Sequence, residues 1–321
     1  MELSTIYEPI QEDLVSVEER LRSVSRVDFP HLSELLDYSL KSNGKRIRPV
    51  LTLISGKFYD YDPGHLLAMA TAVEIMHTAT LVHDDAIDNS AMRRGRATIN
   101  ALWNDEKAVL LGDYLFAEAG AFTASTDNLR AIKLFADTLK TISSGELNQS
   151  FNAFNLKKSR AAYFQRVAQK TSALFSMATE SGAAMSQAPE ESIQILIKYG
   201  YDLGIAFQIV DDILDFVGTE EELGKPTGSD LAQGTITLPS MLLLERYPDD
   251  NPIKRLLDSK DRQAEITRAI DMVRNSSIIQ ECYQVAGEYS ARACRNLKLL
   301  PDKVGRQSLM DIAGFVTMRK K

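Results

Sequence analysis

Residues 66–88 read LLAMATAVEIMHTATLVHDDAID, and this stretch decides the fold. From Leu66 to Val82 it holds few helix breakers and carries apolar side chains on more than one face. A surface helix buries one stripe, so a helix apolar on several faces belongs at the centre of a bundle. Tyr199 to Val210 has the same character. Each stretch runs into a burst of aspartates. Asp84-Asp85-Ala86-Ile87-Asp88 follows the first, and Asp211-Asp212-Ile213-Leu214-Asp215 the second. Both have the form D-D-x-x-D. Residues three and four apart share a helix face, so the three carboxylates of each cluster are expected to aim into one space. Like charges at that spacing cost a helix about 0.2–0.5 kcal/mol per pair. The first cluster also falls near the C-terminal end of its helix, where the macrodipole disfavours anions. A hard divalent cation resolves the conflict, and magnesium is commonly held by one or two carboxylates, waters and substrate phosphates. A solvated acidic helix end explains one such cluster, but poorly explains two that each follow an apolar core helix. The glycine and glutamate spacing of an EF-hand is absent.

Working outward, helical period dominates. Glu12 to Leu21, Leu32 to Leu40, Ala101 to Thr123, Leu129 to Phe151, Ala161 to Met185, Ile193 to Phe216, Leu238 to Tyr247, Arg262 to Leu300 and Gln307 to Met318 all read as helix. Strand-like alternation is scarce, and Gly and Pro lie mainly between these segments. An all-α bundle of about ten or more helices is expected. No linker of biased composition divides the chain, so residues 1–321 read as a single domain. A net charge of -7 argues against broad nucleic-acid binding. The two cysteines, Cys282 and Cys294, make neither a zinc cluster nor a disulfide framework, which suits a reducing cytoplasmic setting. Met1 to Arg20 lacks the basic-then-apolar order of a signal peptide. No apolar run reaches 18 residues, so no spanning helix is expected and any membrane contact would be peripheral.

Basic residues answer the carboxylates. Arg93, Arg94 and Arg96 surround Gly95 in a segment that reads as a loop leaving the first cluster. Arginine forks match phosphate oxygens bidentately, although a surface salt bridge to Asp88 is the plainer use. Gly44-Lys45-Arg46-Ile47-Arg48-Pro49 reads either as a helix start or as a phosphate cradle. Lys225, in Gly224-Lys225-Pro226, and Lys170, in Lys170-Thr171, are candidates of the same type. His77 and His83 are ambiguous, since a lone histidine on an apolar helix is more often a hydrogen-bonded core residue. The four histidines show no metal-ligand spacing.

In these residues the sequence resembles the trans-isoprenyl diphosphate synthases, or polyprenyl synthetases. The segments Gly44 to Pro49, Glu74 to Gly95, Gly145-Glu146, Lys170-Thr171, Phe207 to Phe216 and Gly224 to Pro239 occur in that family's order. The resemblance implies an all-α bundle around a deep central cavity, usually a homodimer, acting on isopentenyl diphosphate and an allylic prenyl diphosphate. It implies that Asp84, Asp85, Asp88, Asp211, Asp212 and Asp215 bind magnesium, up to three ions, and thereby grip the allylic diphosphate. Arg93, Lys170 and Lys225 would contact that diphosphate. Lys45, Arg48, His77 and Arg94 would hold isopentenyl diphosphate, and Thr171 and Gln208 would line the reacting carbons. A long-chain product is implied too. Family members with a bulky aromatic five positions before the first aspartate tend to stop early. Here that position is Ala79, beside Thr80. Neither closes a tunnel, and small side chains leave space for roughly six or more isoprene units. Met76 and Ile75, or Phe135 and Leu139, are candidate deeper floors. Alternatively, Ala79 and Thr80 merely let helices pack closely.

One departure is visible: Thr235 stands in Gly234-Thr235-Ile236-Thr237 where many members carry lysine. Competing readings are a short-chain synthase, a terpene cyclase, a partner subunit of a heteromeric synthase and a purely structural bundle. Cyclases of this helical type keep one D-D-x-x-D and carry a different second motif. Non-catalytic subunits tend to lose aspartates, and all six are present here.

Overall fold

The protein is described here by a computed structural model covering residues 3–41, 44–156, 159–219, 226–256 and 259–319. Its longer helices are α1 (Gln11–Val24), α2 (Pro30–Leu40), α3 (Ile47–Gly56), α4 (Pro63–Ile87), α5 (Asp105–Ala124), α6 (Leu129–Phe151) and α7 (Arg160–Val167). They continue with α8 (Ala173–Ala184), α9 (Glu190–Val217), α10 (Leu238–Arg246), α11 (Arg262–Arg274), α12 (Ile278–Cys294) and α13 (Val304–Met318). Among the described residues the only strands are β1 (Met92–Arg93) and β2 (Arg96–Ala97), an antiparallel pair. The all-α expectation holds.

The two helices singled out by their apolarity are the spine of the bundle. Helix α4 packs on α1, α3, α5 and α8, and α9 packs on α8, α12 and α13. Helix α9 is apolar on more than one face between Tyr199 and Val210 because it feeds two cores. Leu203 and Ala206 join a cluster built on Leu51, Met69, Val73 and Phe175, while Ile205, Ile209 and Ile213 join another with Leu243, Ile270 and Cys282. Glycines set the closest approaches. A Cβ at Gly182 of α8 would stand 2.1 Å from the Thr52 carbonyl oxygen of α3. Helix α4 is also long and apolar enough to cross a membrane by length and composition, but 72% of its apolar window is buried inside the protein.

Three boundaries differ from expectation. The helix expected over Ala101 to Thr123 breaks at Trp103, because the Asn104 side chain accepts from the Lys107 N–H and starts α5 afresh. The run expected over Arg262 to Leu300 breaks at Asn275–Ser277 into α11 and α12. Helix α3 bears out the helix-start reading of Gly44 to Pro49, but its extent to Gly56 was not foreseen. Its Pro49 falls in the first turn, where a missing N–H costs no intrahelical bond.

Candidate active site

The first aspartate cluster occupies the last turn of α4. Asp62 caps the start of this helix by accepting from the His65 N–H at 2.9 Å. At the other end Ser90 N–H donates to the Asp85 carbonyl at 2.9 Å, and Asn89 N–H to the Ala86 carbonyl at 3.3 Å. With Asn89 at φ 49°, this is a Schellman stop. The chain then makes a tight hairpin where a loop was expected. Arg94 (φ 51°) and Gly95 (φ 74°) form its two-residue turn, and both positive φ values suit a type I′ geometry. The hairpin returns Arg93 onto Asp85, with Nε at 2.8 and 2.9 Å from the two carboxylate oxygens.

The three carboxylates of each cluster do not all aim into one space, contrary to expectation. Asp85 is committed to Arg93. Asp212 is buried, accepting from the Tyr163 hydroxyl at 2.7 Å and from Gln208 Nε2 at 2.9 Å. Asp215 is buried too. It accepts from Ser229 Oγ at 2.8 Å and the Asp230 N–H at 3.1 Å, and so fixes the segment after the second cluster. A D-D-x-x-D helix presents its first and fifth residues one above the other, while the second is turned about 100° away toward neighbouring protein. Asp84 and Asp88 therefore share a face. Asp211 is half-buried and accepts from Arg319 Nη2 at 2.6 Å.

Burial pushes the Asp84 carboxyl up to about 6, opposed by the Lys170 ammonium at 3.8 Å. Burial likewise raises Asp88, against the pull of Lys170. Burial also takes Asp212 to about 6, with its two hydrogen bonds working the other way. Such desolvated negative charge calls for a cation. Among the described residues no three acidic, histidine or cysteine side chains converge into a self-sufficient ligand set. Magnesium is rarely caged by protein alone and completes its shell with water and substrate phosphate. The hard-oxygen donors of Asp84, Asp88 and Asp211 fit it.

Lys170 and Thr171 lie in a π-helical turn, Ala168–Ser172, between α7 and α8. Such turns are frequent at functional sites. A Cβ on Gly145 would stand 2.7 Å from the Gln169 Cβ, so glycine lets α6 close on the π turn. There Glu146 meets Lys170 at 2.8 Å. Thr171 Oγ1 donates to Gln208 Oε1 at 2.5 Å, which links Thr171, Gln208, Asp212 and Tyr163 into one chain of hydrogen bonds.

The basic segment before α3 bends at Arg46, which adopts φ 51°. A left-handed non-glycine residue costs about 1–2 kcal/mol. The guanidinium offsets it, reaching Glu18 at 2.6 Å, Glu74 at 2.7 Å and the Leu40 carbonyl at 3.1 Å. On either side Lys45 is exposed and Arg48 lies inward, with Nη1 at 3.0 Å from His77 Nε2. Burial, then the surrounding arginines, holds the His77 pKa well below its usual value, so the neutral ring accepts from Arg48. The Arg94 Nη1 lies 3.2 Å from the point a Gly44 Cβ would occupy, so Arg94 joins the same group. His83 points elsewhere: its Nε2 lies 2.9 Å from the Val109 carbonyl, pinning α4 to α5 over Gly112.

Ile75, Met76 and Ala79 are fully buried in α4, and Thr80 is half-buried with its hydroxyl on the His77 carbonyl at 2.7 Å. Thr80 stacks beneath Asp84, whereas Ala79 is turned about 140° from it. Phe135 and Leu139 of α6 pack on the main core. Gly224 and Lys225 lie outside the described residues. Thr235 is held by its N–H on the Asp230 carbonyl at 2.7 Å. No sequence pattern marks Tyr163, which sits on another helix. Nor did it mark Arg319, which follows α13 and stacks 3.8 Å from the Phe207 ring centroid.

Comparison with known proteins finds relatives along nearly the whole chain. The polyprenyl synthetase family model matches residues 29–273. Heptaprenyl diphosphate synthase component 2 of Bacillus subtilis is 36% identical over 320 residues, covering 100% of this chain and 92% of that protein. A decaprenyl diphosphate synthase from Rhodobacter capsulatus superposes with a TM-score of 0.91 at 34% identity over 100% of both chains. A polyprenyl synthase from Caulobacter crescentus, complexed with calcium and isoprenyl diphosphate, superposes with a TM-score of 0.92 at 31% identity, covering 100% of this chain and 98% of that one.

Proposed function

Because the chain belongs to the polyprenyl synthetase family, we propose that it condenses isopentenyl diphosphate head to tail with an allylic prenyl diphosphate, giving a long-chain all-trans polyprenyl diphosphate. The observation that carries this reading is the desolvation of Asp84 and Asp88 beside the cations of Lys170 and Arg93, with Asp211 facing Arg319 and Arg48. The second cationic group at Lys45, Arg48 and Arg94 favours condensation of two diphosphates over cyclisation of one.

Asp84, Asp88 and Asp211 would hold up to three magnesium ions, whose chemistry is to neutralise the allylic diphosphate and make it a better leaving group. Asp85, Asp212 and Asp215 orient the elements around them. Lys170 and Arg93, together with Lys225, bind the allylic diphosphate. Lys45, Arg48, His77 and Arg94 hold the diphosphate of isopentenyl diphosphate. Thr171 and Gln208 set oxygen dipoles near the carbons where positive charge develops as the allylic C–O bond breaks. The double bond of isopentenyl diphosphate attacks that carbon. The departed diphosphate accepts the proton, since every carboxylate of the site already has another task. Apolar walls keep water from the cation.

The two cores share α9, which supports treating residues 1–321 as one catalytic domain. We place the enzyme in the cytoplasm, with peripheral membrane contact for product release. Exposed Leu110 of α5 and Leu129, Ile132 and Leu147 of α6 support a homodimer. A second reading has specific support in the relative named as component 2. There the chain would be the aspartate-bearing member of a two-component enzyme.

The test is to purify this chain alone and supply isopentenyl diphosphate, farnesyl diphosphate and magnesium, then size the product chromatographically. Products of roughly six or more isoprene units are expected. Asp84→Ala or Asp211→Ala should cut turnover by orders of magnitude with helical content unchanged. Near-normal activity of either in saturating magnesium sinks the assignment. Dependence on an added second component decides for the two-component reading.

A further inference from the structure

We propose that Glu18, Arg46 and Glu74 form a positioning clamp that sets Lys45 and Arg48 for isopentenyl diphosphate, without any of the three touching substrate. This rests on the placement of that diphosphate at Lys45, Arg48 and Arg94.

Arg46 stands between the two cations assigned to substrate, yet its own side chain is withdrawn from them, at 8% exposure. All three guanidinium nitrogens are used. Nε and Nη2 reach the two oxygens of Glu18 at 2.6 and 3.4 Å, Nη1 reaches Glu74 at 2.7 Å, and Nη2 also reaches the Leu40 carbonyl at 3.1 Å. These partners come from α1, the end of α2 and α4. One side chain therefore ties three helices to the residue preceding α3.

The tie acts on geometry through the backbone. Arg46 is left-handed at φ 51°, and this bend turns Lys45 outward and Arg48 inward. A non-glycine residue keeps such a conformation only where its surroundings over-determine it. The carbonyl of Lys45 is held as well, by the Tyr7 hydroxyl at 2.8 Å. Glu74 lies one turn before His77 on α4, and His77 meets Arg48 at 3.0 Å. Glu74 Oε1 and Arg94 Nη1 also flank the same point beside Gly44, at 3.9 and 3.2 Å. The clamp thus registers the cationic segment against the helix that carries Asp84, and so sets one diphosphate site relative to the other.

A purely electrostatic role and a positioning role predict opposite signs. Glu18 is 33% exposed on α1, so its replacement leaves the core intact. Glu18→Gln removes a negative charge near an anionic substrate. A field effect alone would lower the KM for isopentenyl diphosphate. Loss of the clamp should raise it, by about fivefold or more given how steeply rate and affinity fall with misplacement. The KM for the allylic diphosphate and kcat at saturation of both substrates should stay within about twofold if the disturbance is confined to one site. Arg46→Lys keeps the charge but loses the fork, and should show the same split. An unchanged or lowered KM for isopentenyl diphosphate in Glu18→Gln, or an equal rise for both substrates, overturns the clamp. Should Arg46→Lys fail to fold, Glu18→Gln decides alone. Arg48→Ala separates the two levels of the argument. A raised requirement there with an unaffected Glu18→Gln rejects only the clamp, whereas a normal requirement in Arg48→Ala rejects the substrate placement and the clamp with it.

Discussion

Replacing Ala79 with tyrosine asks whether the product grows along α4. Ala79 is fully buried and lies about 7.5 Å from Asp84 along the helix axis, five residues at a rise of 1.5 Å each. Met76 and Ile75 lie about 12 and 13.5 Å away on the same measure. A floor raised from their level to position 79 removes about 4.5–6 Å of depth, so the product should shorten, with roughly three or four isoprene units dominating as in members that carry an aromatic there. Stability reports on the same question independently. Inserting a phenol into filled core costs about 1–3 kcal/mol. If the ring instead enters a channel that the prenyl chain otherwise fills, the denaturation midpoint should barely move. The assay is chromatography of the dephosphorylated products beside a denaturant titration of the same preparation. Thr80→Tyr is the control. Position 80 stacks beneath Asp84, so a ring there should depress turnover more than it shortens the product. An unchanged product ladder in Ala79→Tyr, accompanied by the full overpacking loss, would refute the path along α4 and make Ala79 a packing residue only.

Two further predictions concern the groups behind the aspartates. Tyr163→Phe removes the 2.7 Å donor to buried Asp212 and should destabilise the protein by about 1.5–3 kcal/mol, the usual worth of a hydrogen bond to a charged group. It should also raise the magnesium concentration needed for half-maximal turnover, and a variant with both properties of the wild type would remove Tyr163 from the site. His77 gives a pH signature. Its folded pKa lies well below the unfolded value near 6.5, so below that pH the unfolded chain binds the extra proton and stability falls. His77→Gln should erase this component, and the two stability curves should converge or cross by about 1.4 kcal/mol per pH unit between pH 6 and 5. Parallel curves would mean that His77 is protonated in the folded protein.

What could be read in the sequence was what helical periodicity and charge repetition encode. The span Leu129 to Phe151 came out at its observed ends because no competing cap lies inside it. The break before α5 was missed because Asn104 is a local cap within an otherwise continuous apolar pattern, and the cap wins by satisfying a helix-terminal N–H. Helix α3 was legible only at its start, where Pro49 in the first turn breaks nothing, and its run to Gly56 is too short to show a helical period of its own. Tyr163 and Arg319 reach the aspartates only through tertiary packing of α7 and the chain after α13, and no spacing along the chain records that. His83 shows the limit within a motif. It adjoins Asp84 in sequence, but 100° per residue sends it to α5 instead of the site.

That same rotation separates Asp84 from Asp85 and Asp211 from Asp212, while Asp215 is set apart by its bonds to Ser229 and Asp230. Asp84, Asp88 and Asp211 retain carboxylates facing cations of the chain itself, with Lys170 near Asp84 and Arg319 on Asp211. Asp85, Asp212 and Asp215 fasten, in turn, the Arg93 hairpin, the Tyr163–Gln208–Thr171 chain and the segment at Ser229–Asp230. A carboxylate that accepts two donors is both satisfied and fixed, and one that accepts few is electrostatically available. Consecutive helix residues cannot face the same way, so on the proposed reading one aspartate of each pair would serve the cation while the next holds the scaffold. The π turn at Ala168–Ser172 follows the same logic. It places Lys170 toward Asp84 and Thr171 toward Gln208, two adjacent residues reaching the two motif helices from a single turn.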